Sequence, residues 1–205
     1  DLNLGAKIGQ NPQRPHDLYL KLCAMPFPTA RIPDPPPPSA RLRFRRWTRC
    51  DADRLAYFRL MADPAVMTFI DPTRRFASVP DIDAFLANDP PFDDHGYGFW
   101  LVEWRDNGEA IGTIGMKAKP HYGWTEFGYL FKRAFWGQGI ATEAAAAVLQ
   151  WADAAGVTPL YARVLPDHTA SVRVLQRAGF EFVRVGPPED DFDHVYVRHS
   201  GSGKP

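Results

Sequence analysis

Cysteine is scarce in this chain of 205 residues, which contains only Cys23 and Cys50. Two cysteines far apart in sequence are typical neither of a disulfide scaffold nor of a zinc site. Long apolar stretches are also missing, because no segment reaches the roughly 18 to 20 apolar residues that span a bilayer. Residues 18–27 come nearest to the core of a signal peptide, but Lys21 interrupts them. We therefore expect a cytoplasmic protein with no membrane segment and no bound metal.

Neither sign of charge is in excess, since 24 Lys and Arg residues balance 24 Asp and Glu residues. A domain that binds duplex nucleic acid normally carries a basic surplus. Hydrophobic residues make up 45% of the chain and charged residues 23%, which are the proportions of an ordinary globular protein. The composition therefore predicts a globular protein that does not bind nucleic acid.

Proline is concentrated near the N-terminus, where Pro26, Pro28 and Pro33 precede the run 35–38. Such a run favours an extended, polyproline-like segment over a packed element. We expect residues 1–40 to form an arm outside the domain, residues 41–200 to form the domain, and residues 201–205 to form a tail. Met25 is a second candidate for the first residue of the natural chain.

The beginning of the domain is predicted to contain one strand and two helices. Residues 41–45 alternate between polar and apolar side chains, the period of two that is typical of a half-buried strand. Asp51 is the predicted N-cap of the first helix, which ends at Asp63-Pro64. Ser78 is the predicted N-cap of the second helix.

The remainder of the domain is predicted to alternate between strands and helices. The sequence Asp106-Asn107-Gly108 is a strong hairpin signal between the first two of these strands. The predicted strands cover residues 99–104, 110–117, 125–131, 160–164, 180–185 and 194–197, and the predicted helices cover residues 139–155 and 169–178. The order β-α-α-β-β-β-α-β-α-β-β indicates an α+β domain with a mixed sheet.

The segment from Trp136 to Thr142 carries the clearest chemical signal. A predicted strand leads into Gly137-Gln138-Gly139, and a helix starts there. The first amides of a helix have no partner within the helix, and its dipole favours an anion at that end. Glycines let phosphate oxygens approach the backbone, and the Thr142 hydroxyl is a further donor. The segment therefore indicates a phosphate-binding site.

Three glycine-containing phosphate-binding patterns are candidates for this segment. A Walker loop requires Gly, four residues and then Gly-Lys-Ser/Thr, a run that the chain lacks. The dinucleotide fingerprint requires Gly or Ala at its sixth position, where Thr142 stands. The third pattern, Arg/Gln-x-x-Gly-x-Gly/Ala, is that of acetyltransferases, and residues 136–141 approximate it. A glycine turn that only begins an ordinary helix is the remaining interpretation.

Six blocks in this order extend the third interpretation over most of the chain. They are RLRFRRW (41–47), AIGTIG (110–115), EFGYL (126–130), FWGQGIATEA (135–144), PDHTASVRVL (166–175) and AGF (178–180). Together they resemble the GNAT family of N-acetyltransferases, in its RimJ/RimL-like branch of ribosomal-protein N-terminal acetyltransferases. The resemblance implies a GNAT fold, with a central, mostly antiparallel, splayed sheet flanked by helices, and acetyl-CoA as the acetyl donor.

The resemblance also assigns residues to the cofactor. The backbone of Tyr129 to Phe131 is expected to pair with the pantetheine arm as another strand would, and the amides of Gln138 to Thr142 are expected to hold the pyrophosphate. His168 stands where this branch usually has asparagine. The cofactor-binding residues implied are Tyr129, Leu130, Phe131, Trp136, Gly137, Gln138, Gly139, Ile140, Ala141, Thr142, His168 and Ser171.

The implied reaction is direct attack of a primary amine on the acetyl thioester in a ternary complex. Deprotonating an α-amine at pH 7 costs only about 1 to 1.4 kcal/mol, against about 4.6 kcal/mol for a lysine side chain. A protein α-amino terminus is therefore the leading acceptor. A small amine, such as an amino acid, a polyamine or an antibiotic, and a non-catalytic acetyl-CoA-binding role are the alternatives.

Two residues are the predicted catalytic groups. Glu126 is the candidate base or water relay, although a strand carboxylate is more commonly solvated or ion-paired. Many relatives protonate the thiolate with a tyrosine at the position that Leu175 occupies here, so Ser171 is the remaining hydroxyl donor in that block. Neither assignment follows from the spacing of the residues alone.

Aromatic residues are the predicted lining of the acceptor groove. The family places its acceptor between the early helices and the last strands, so Trp47, Tyr97 and Trp100 are assigned to substrate binding. Each of them is equally compatible with an ordinary core position. The expected assembly is a monomer or a homodimer.

Overall fold

The computed structural model describes residues 35–48, 50–70, 76–88, 98–119, 123–185 and 194–201. Its elements are β1 (Leu42–Arg45), α1 (Asp51–Met61), α2 (Pro64–Met67), α3 (Val79–Asn88), β2 (Phe99–Trp104), β3 (Ala110–Lys119), β4 (Trp124–Phe131), α4 (Ile140–Ala154), β5 (Leu160–Val164), α5 (Thr169–Arg177), β6 (Glu181–Val185) and β7 (His194–Arg198). The predicted order of strands and main helices is confirmed. Helix α2 and a 3₁₀ turn at Arg133–Phe135 were not predicted, because segments of four and three residues show no periodicity.

The described strands form one seven-stranded sheet in the order β1-β2-β3-β4-β5-β7-β6. All neighbours are antiparallel except β4 and β5, which run parallel. Strand β4 pairs with β3 from Trp124 to Phe131, but its pairing with β5 is limited to Thr125 and Glu126. Beyond Glu126 the two strands separate. This confirms the predicted mixed, splayed sheet and places a gap at its centre.

Helices cover both faces of the sheet. On one face, Ala144 and Val148 of α4 are buried in the same apolar cluster as Ile114 and Phe127 of the sheet. On the other face, a second cluster formed by α1, α2 and α3 packs against Leu130. Within the described residues, no helix is long and apolar enough to cross a membrane. The gap between β4 and β5 is therefore bordered by helices on both sides of the sheet.

An ion pair between the buried Asp53 and the half-buried Arg45 fixes the start of α1 against β1. The predicted N-cap, Asp51, is wrong by one residue, since Cys50 occupies that position and makes no side-chain cap. The carboxylate of Asp53 instead accepts the amide and hydroxyl of Thr48 and both terminal nitrogens of Arg45, at 2.6 to 2.8 Å. Burial raises the pKa of Asp53, but these hydrogen bonds outweigh it and hold the pKa at about 2.

The last residues of the predicted N-terminal arm contact the domain. Pro36 is buried, and the hydroxyl of Ser39 donates to Glu143 of α4 at 2.6 Å. Residues 1–34 lie outside the described part of the chain, so the arm as a whole stays a prediction.

Candidate active site

The start of α4 presents a row of backbone amides. Its N-cap, Gly139, has a φ of 75°, a left-handed conformation that glycine adopts without steric cost. The Glu143 amide donates to the Gly139 carbonyl. Among the described residues, no close hydrogen bond joins the amides of residues 137–142 to a backbone carbonyl outside the helix. They are therefore available to an anion at the positive end of the helix dipole.

The space in front of these amides is open. Gly137 has a φ of 72°, and no atom lies within 4 Å of the position that a Cβ would occupy there. The side chain of Gln138 turns away from this space and donates to the carbonyl of Ala134 at 2.7 Å. Gln138 can therefore offer its backbone amide to an anion, whereas its side chain is already hydrogen-bonded to Ala134 within the loop. The diphosphate of coenzyme A fits such an arrangement of amides.

The only acidic residue in the first turn of α4 is directed away from the amides. The carboxylate of Glu143 accepts the Ser39 hydroxyl at 2.6 Å and the Arg41 amide and Nε at 2.8 and 2.7 Å. Burial raises the pKa of Glu143, but these bonds lower it overall. The Arg41 guanidinium also donates to the Gln138 carbonyl at 3.2 Å. Ser39 and Arg41 thus compensate the negative charge of Glu143, so this carboxylate does not oppose the binding of an anion at the amides.

A cavity of about 840 Å³ extends from these amides through the gap between β4 and β5. It brings together the two predicted catalytic residues and all predicted cofactor residues except Gln138. Those lining it are Glu126, Tyr129, Leu130, Phe131, Trp136, Gly137, Gly139, Ile140, Ala141, Thr142, His168 and Ser171. The residues that the sequence separates by up to 45 positions therefore border one continuous space.

The backbone of β4 offers fewer groups to the gap than predicted. The Lys132 amide donates to the Ile111 carbonyl of β3, and the groups of successive residues alternate between the two edges of a strand. Those of Leu130 therefore also face β3, and the prediction that its backbone pairs with the cofactor arm is wrong. The Phe131 carbonyl faces the gap but accepts the indole of Trp136 at 2.7 Å. The backbone of Tyr129 remains directed into the gap.

Tyr129 also contributes its side chain, which the sequence analysis did not assign. Its hydroxyl lies 2.9 Å from the hydroxyl of Ser171 on α5. Burial raises the pKa of Tyr129 to about 12, with a smaller opposing effect from Ser171, so the phenol stays protonated at physiological pH. Leu175, one turn further along α5, is buried and lines the same cavity. Tyr129 and Ser171 therefore provide two adjacent hydroxyl donors next to Leu175, whose side chain has no donor.

Glu126 is held by two cations at the start of the gap. Arg163 of β5 donates to its carboxylate at 2.8 Å, and the Lys119 ammonium lies 3.8 Å from it. The side chain is largely buried, yet it lines the cavity. Glu126 is therefore ion-paired, which is the alternative to a catalytic role named in the sequence analysis. A water molecule bound to Glu126 must share its carboxylate with Arg163.

His168 is the N-cap residue of α5 and makes no side-chain cap. Its ring stacks on Phe69, with centroids 3.9 Å apart and an interplanar angle of 9°. Burial lowers the pKa of His168, so the imidazole is neutral at pH 7. The pair connects the segment after α2 to α5 and closes one side of the cavity.

The two predicted acceptor residues that the structure describes, Trp47 and Trp100, do not line the cavity. Trp100 is 2% exposed and packs edge-on against Trp151 of α4, on the opposite side of the sheet from α1, so its assignment to the groove is wrong. Trp47 donates to Thr113 at 3.3 Å and contacts Tyr57 edge-on, which supports the cavity wall from behind. Tyr97 lies outside the described residues.

The side of the cavity away from α4 has walls that the sequence analysis missed. Apolar side chains from α1, α2, the turn after α2, α3 and β2 form them, namely Tyr57, Met61, Val66, Phe69, Ile70, Phe85 and Phe99. Lys117 and Lys119 of β3 lie beside them. Their spacing of two residues, equal to the strand period, was the available signal. No cluster suited to a metal ion is found among the described residues.

Comparison with known proteins agrees with this geometry. The family described as acetyltransferase (GNAT) domain matches residues 41–181. An acetyltransferase structure from Agrobacterium tumefaciens is 30% identical, with a TM-score of 0.66 over 82% of this chain and 95% of its own. The uncharacterized N-acetyltransferase p20 of Bacillus licheniformis is 27% identical over 69% of this chain and 79% of its own.

A more distant structure shares the fold. It is a Salmonella typhimurium acetyltransferase that modifies the N-terminal serine of ribosomal protein L7/L12, 19% identical with a TM-score of 0.62, covering 80% of this chain and 97% of its own. The splayed sheet, the free amides at the start of α4 and the matched family all indicate the same chemistry. The chain belongs to the GNAT family and is an N-acetyltransferase that uses acetyl-CoA.

Proposed function

We propose that this enzyme acetylates the α-amine of a protein N-terminus, by direct attack in a complex that holds both substrates at once. The observation that carries the proposal is the continuous cavity, which joins the amides of α4 to a chamber on the other face of the sheet. The six motif blocks that resemble the RimJ/RimL-like branch support the same acceptor. The N-terminal serine substrate of the Salmonella typhimurium structure is an acceptor of this class.

The state of Glu126 favours an acceptor that demands little from a base. Its carboxylate is shared with Arg163 and Lys119, so it is better suited to orienting a water molecule than to removing a proton from lysine. An α-amine costs about 3 kcal/mol less than a lysine side chain to deprotonate at pH 7. We assign Glu126 as the residue that relays the amine proton through water.

The other proton transfer takes place at the departing thiolate. Acetyl-CoA supplies the activated acyl group, and the reaction ends when the sulfur has taken up a proton. Ser171 lines the cavity and shares a hydrogen bond with Tyr129. We assign the Ser171 hydroxyl as the hydrogen-bond donor that stabilises the departing sulfur, which takes up through water a proton equivalent to the one that the amine loses; Leu175 cannot fill this role because its side chain has no donor.

The proposal is tested by measuring thiol release from acetyl-CoA with N-terminal peptides and with a panel of amino acids, polyamines and aminoglycosides. We expect peptides with a free α-amine to be acetylated, and the same peptides with a blocked α-amine and a free lysine to be inactive. Turnover of small amines alone would contradict the proposed acceptor.

The role of Glu126 is tested in the same assay. We expect Glu126→Gln to lower kcat by about tenfold or more, which is less than the roughly 10²–10⁴-fold typical of general acid–base groups because an α-amine demands little from a base, and to leave the Kd of coenzyme A within twofold. Glu109→Gln is the matched control, because Glu109 pairs with Lys132 outside the cavity lining. An unchanged kcat in Glu126→Gln would remove this residue from the mechanism.

A further inference from the structure

The peptide group between Gln138 and Gly139 determines where one amide of the diphosphate site points. A peptide group is planar and trans, so its carbonyl and its N–H point in opposite directions. Gly139 lines the cavity, whereas Gln138 lies outside the described lining. For the Gly139 amide to face the cavity, the Gln138 carbonyl must therefore point away from it.

The backbone of Gly139 does not fix this orientation by itself. Its φ is 75°, but glycine populates positive and negative φ about equally. A flip of the peptide between Gln138 and Gly139 would exchange the directions of the carbonyl and the amide. Gly139 has no Cβ that would oppose the flip, so the observed orientation depends on a contact from outside the turn.

Arg41, the residue directly before β1, supplies such a contact. Both terminal nitrogens of its guanidinium donate to the Gln138 carbonyl at 3.2 Å. A Cβ at Gly139 would lie 3.8 Å from one of these nitrogens, so the guanidinium lies directly beside this peptide. Arg41 is outside the described lining of the cavity. It therefore holds the carbonyl on the far side of the turn and leaves the Gly139 amide on the cavity side.

Glu143 of α4 anchors the guanidinium. Its carboxylate accepts the Arg41 backbone amide at 2.8 Å and the Arg41 Nε at 2.7 Å. Glu143 also reaches the turn through its own backbone, because its amide donates to the Gly139 carbonyl at 3.0 Å. The carbonyls of Gln138 and Gly139 are thus connected to one residue of α4, through Arg41 in the first case and directly in the second.

Attraction of the anionic cofactor by the charge of Arg41 is the alternative role for this side chain. Arg41 and Glu143 form an ion pair, whose net charge is zero. The Arg41 side chain is 40% exposed, so solvent screens its charge further. The pair therefore attracts an anion only weakly, and its distinctive contribution is the direction of the hydrogen bonds to Gln138.

We propose that Arg41 is a positioning residue for coenzyme A, because it holds the Gln138–Gly139 peptide in the orientation that directs the Gly139 amide at the diphosphate. Glu143 acts one step behind, by holding Arg41. This role goes beyond the proposed function, since it concerns the acetyl donor alone and is independent of the amine that is acetylated. It makes a residue 97 positions before the turn part of the cofactor site.

The test measures the Kd of coenzyme A by calorimetry, without an acceptor. Arg41→Gln removes the guanidinium, and we expect the Kd to rise by roughly three- to tenfold, a modest factor because hydrogen bonds and ion pairs at an exposed surface contribute little. Arg43→Gln is the matched control, because it removes one positive charge from an exposed arginine two residues further along the chain. We expect its Kd to stay within twofold of the original value.

Two further variants separate position from charge. Arg41→Lys keeps the positive charge but lacks the planar fork, so we expect it to lose as much affinity as Arg41→Gln, within twofold. Glu143→Gln removes a negative charge beside an anion site, which by charge alone would tighten binding. We expect it instead to weaken binding at least twofold, because Arg41 loses its anchor. Urea titrations check that each variant is folded, and these two variants carry the test if Arg41→Gln does not fold.

Two shorter ligands show which part of coenzyme A depends on Arg41. Dephospho-CoA keeps the diphosphate and lacks the 3′-phosphate, so Arg41→Gln is expected to weaken its binding by the same factor as that of coenzyme A. Pantetheine lacks all the phosphates. We expect its affinity, measured by competition with coenzyme A, to change less than twofold in Arg41→Gln.

Several results would overturn the positioning role. These are an unchanged Kd in Arg41→Gln, full affinity in Arg41→Lys and tighter binding in Glu143→Gln. A loss that disappears with dephospho-CoA would indicate direct contact with the 3′-phosphate instead, and an equal loss with pantetheine would indicate a general structural defect. None of these results bears on the proposed acceptor, which the peptide assay tests separately.

Discussion

The hydroxyl pair formed by Tyr129 and Ser171 leads to a specific kinetic prediction. Replacing Tyr129 with phenylalanine removes the phenolic oxygen that lies 2.9 Å from the Ser171 hydroxyl and preserves the ring that packs in the α4-side core. Because the phenol stays protonated, it can donate to Ser171 and leave the Ser171 proton directed at the sulfur. We therefore regard Tyr129 as a positioning residue that acts through Ser171.

The expected magnitude follows from this one bond. A neutral intramolecular hydrogen bond contributes about 0.5 to 1.5 kcal/mol net, which corresponds to roughly two- to thirteenfold in rate when it is lost in the transition state. We expect Tyr129→Phe to lower kcat within that range and to leave the KM for acetyl-CoA within twofold. If Tyr129 acts only through Ser171, the double variant with Ser171→Ala will be no slower than Ser171→Ala alone.

The assay is a double-mutant cycle on kcat, measured by thiol release between pH 6 and 10. Because the pKa of Tyr129 is about 12, the profiles of the original protein and of Tyr129→Phe are expected to have the same shape over this range. Tyr196→Phe is the control, since Tyr196 is a buried tyrosine outside the cavity lining. Multiplicative effects of Tyr129→Phe and Ser171→Ala, or a change confined to KM, would refute the coupling.

Two further substitutions test the amides of α4 and the anchor of α1. Gly139→Ala places a Cβ at a φ of 75° and is expected to cost about 1 to 2 kcal/mol of stability and to weaken coenzyme A binding in calorimetry. Gly108→Ala, at a φ of 72° in the β2–β3 hairpin, should cost as much with no effect on binding; equal binding losses would contradict the prediction. Asp53→Asn is expected to lower the free energy of unfolding by about 1 to 3 kcal/mol, as for donors left without their charged acceptor at a partly solvated ion pair. The folded pKa of Asp53, about 2, lies below its unfolded value, so its contribution is present above about pH 4 and is lost as the pH falls towards 2. Urea titrations between pH 2 and 5 should therefore show the two proteins converging in stability, and a constant difference would contradict the assignment.

The glycine turn and the amides at the start of α4 were predictable because the signal is local. Gly137 and Gly139 lie directly before a helix with a clear apolar period, and both have positive φ values in the structure. The splayed sheet came from the family resemblance, and the paired residues of β4 and β5 agree with it. Local sequence also gave the hairpin before β3, where Gly108 adopts a positive φ.

The acceptor side was predicted less well, because it depends on contacts between distant segments. Whether Trp100 faces the core or the chamber is decided by its pairing with Ile114 and its contact with Trp151, neither of which a strand pattern reveals. The partner of the Tyr129 hydroxyl is 42 residues away. The sequence therefore identifies Tyr129 as a tyrosine near the cofactor, but it does not show that its hydroxyl contacts Ser171.

The central gap has a consequence for how the two halves of the sheet are held. Among the described residues, strands β1 to β4 pair with strands β5 to β7 only at Thr125 and Glu126. A molecule that contacts both sides of the gap binds best when the two halves keep their native separation. Ligand binding and the separation of the halves are therefore coupled by one free energy. Phe127 lines the cavity and packs on Phe180, with ring centroids 5.4 Å apart. A substitution at Phe180 that shifts this packing is therefore expected to change ligand affinity, and ligand binding is expected to resist the shift by the same amount.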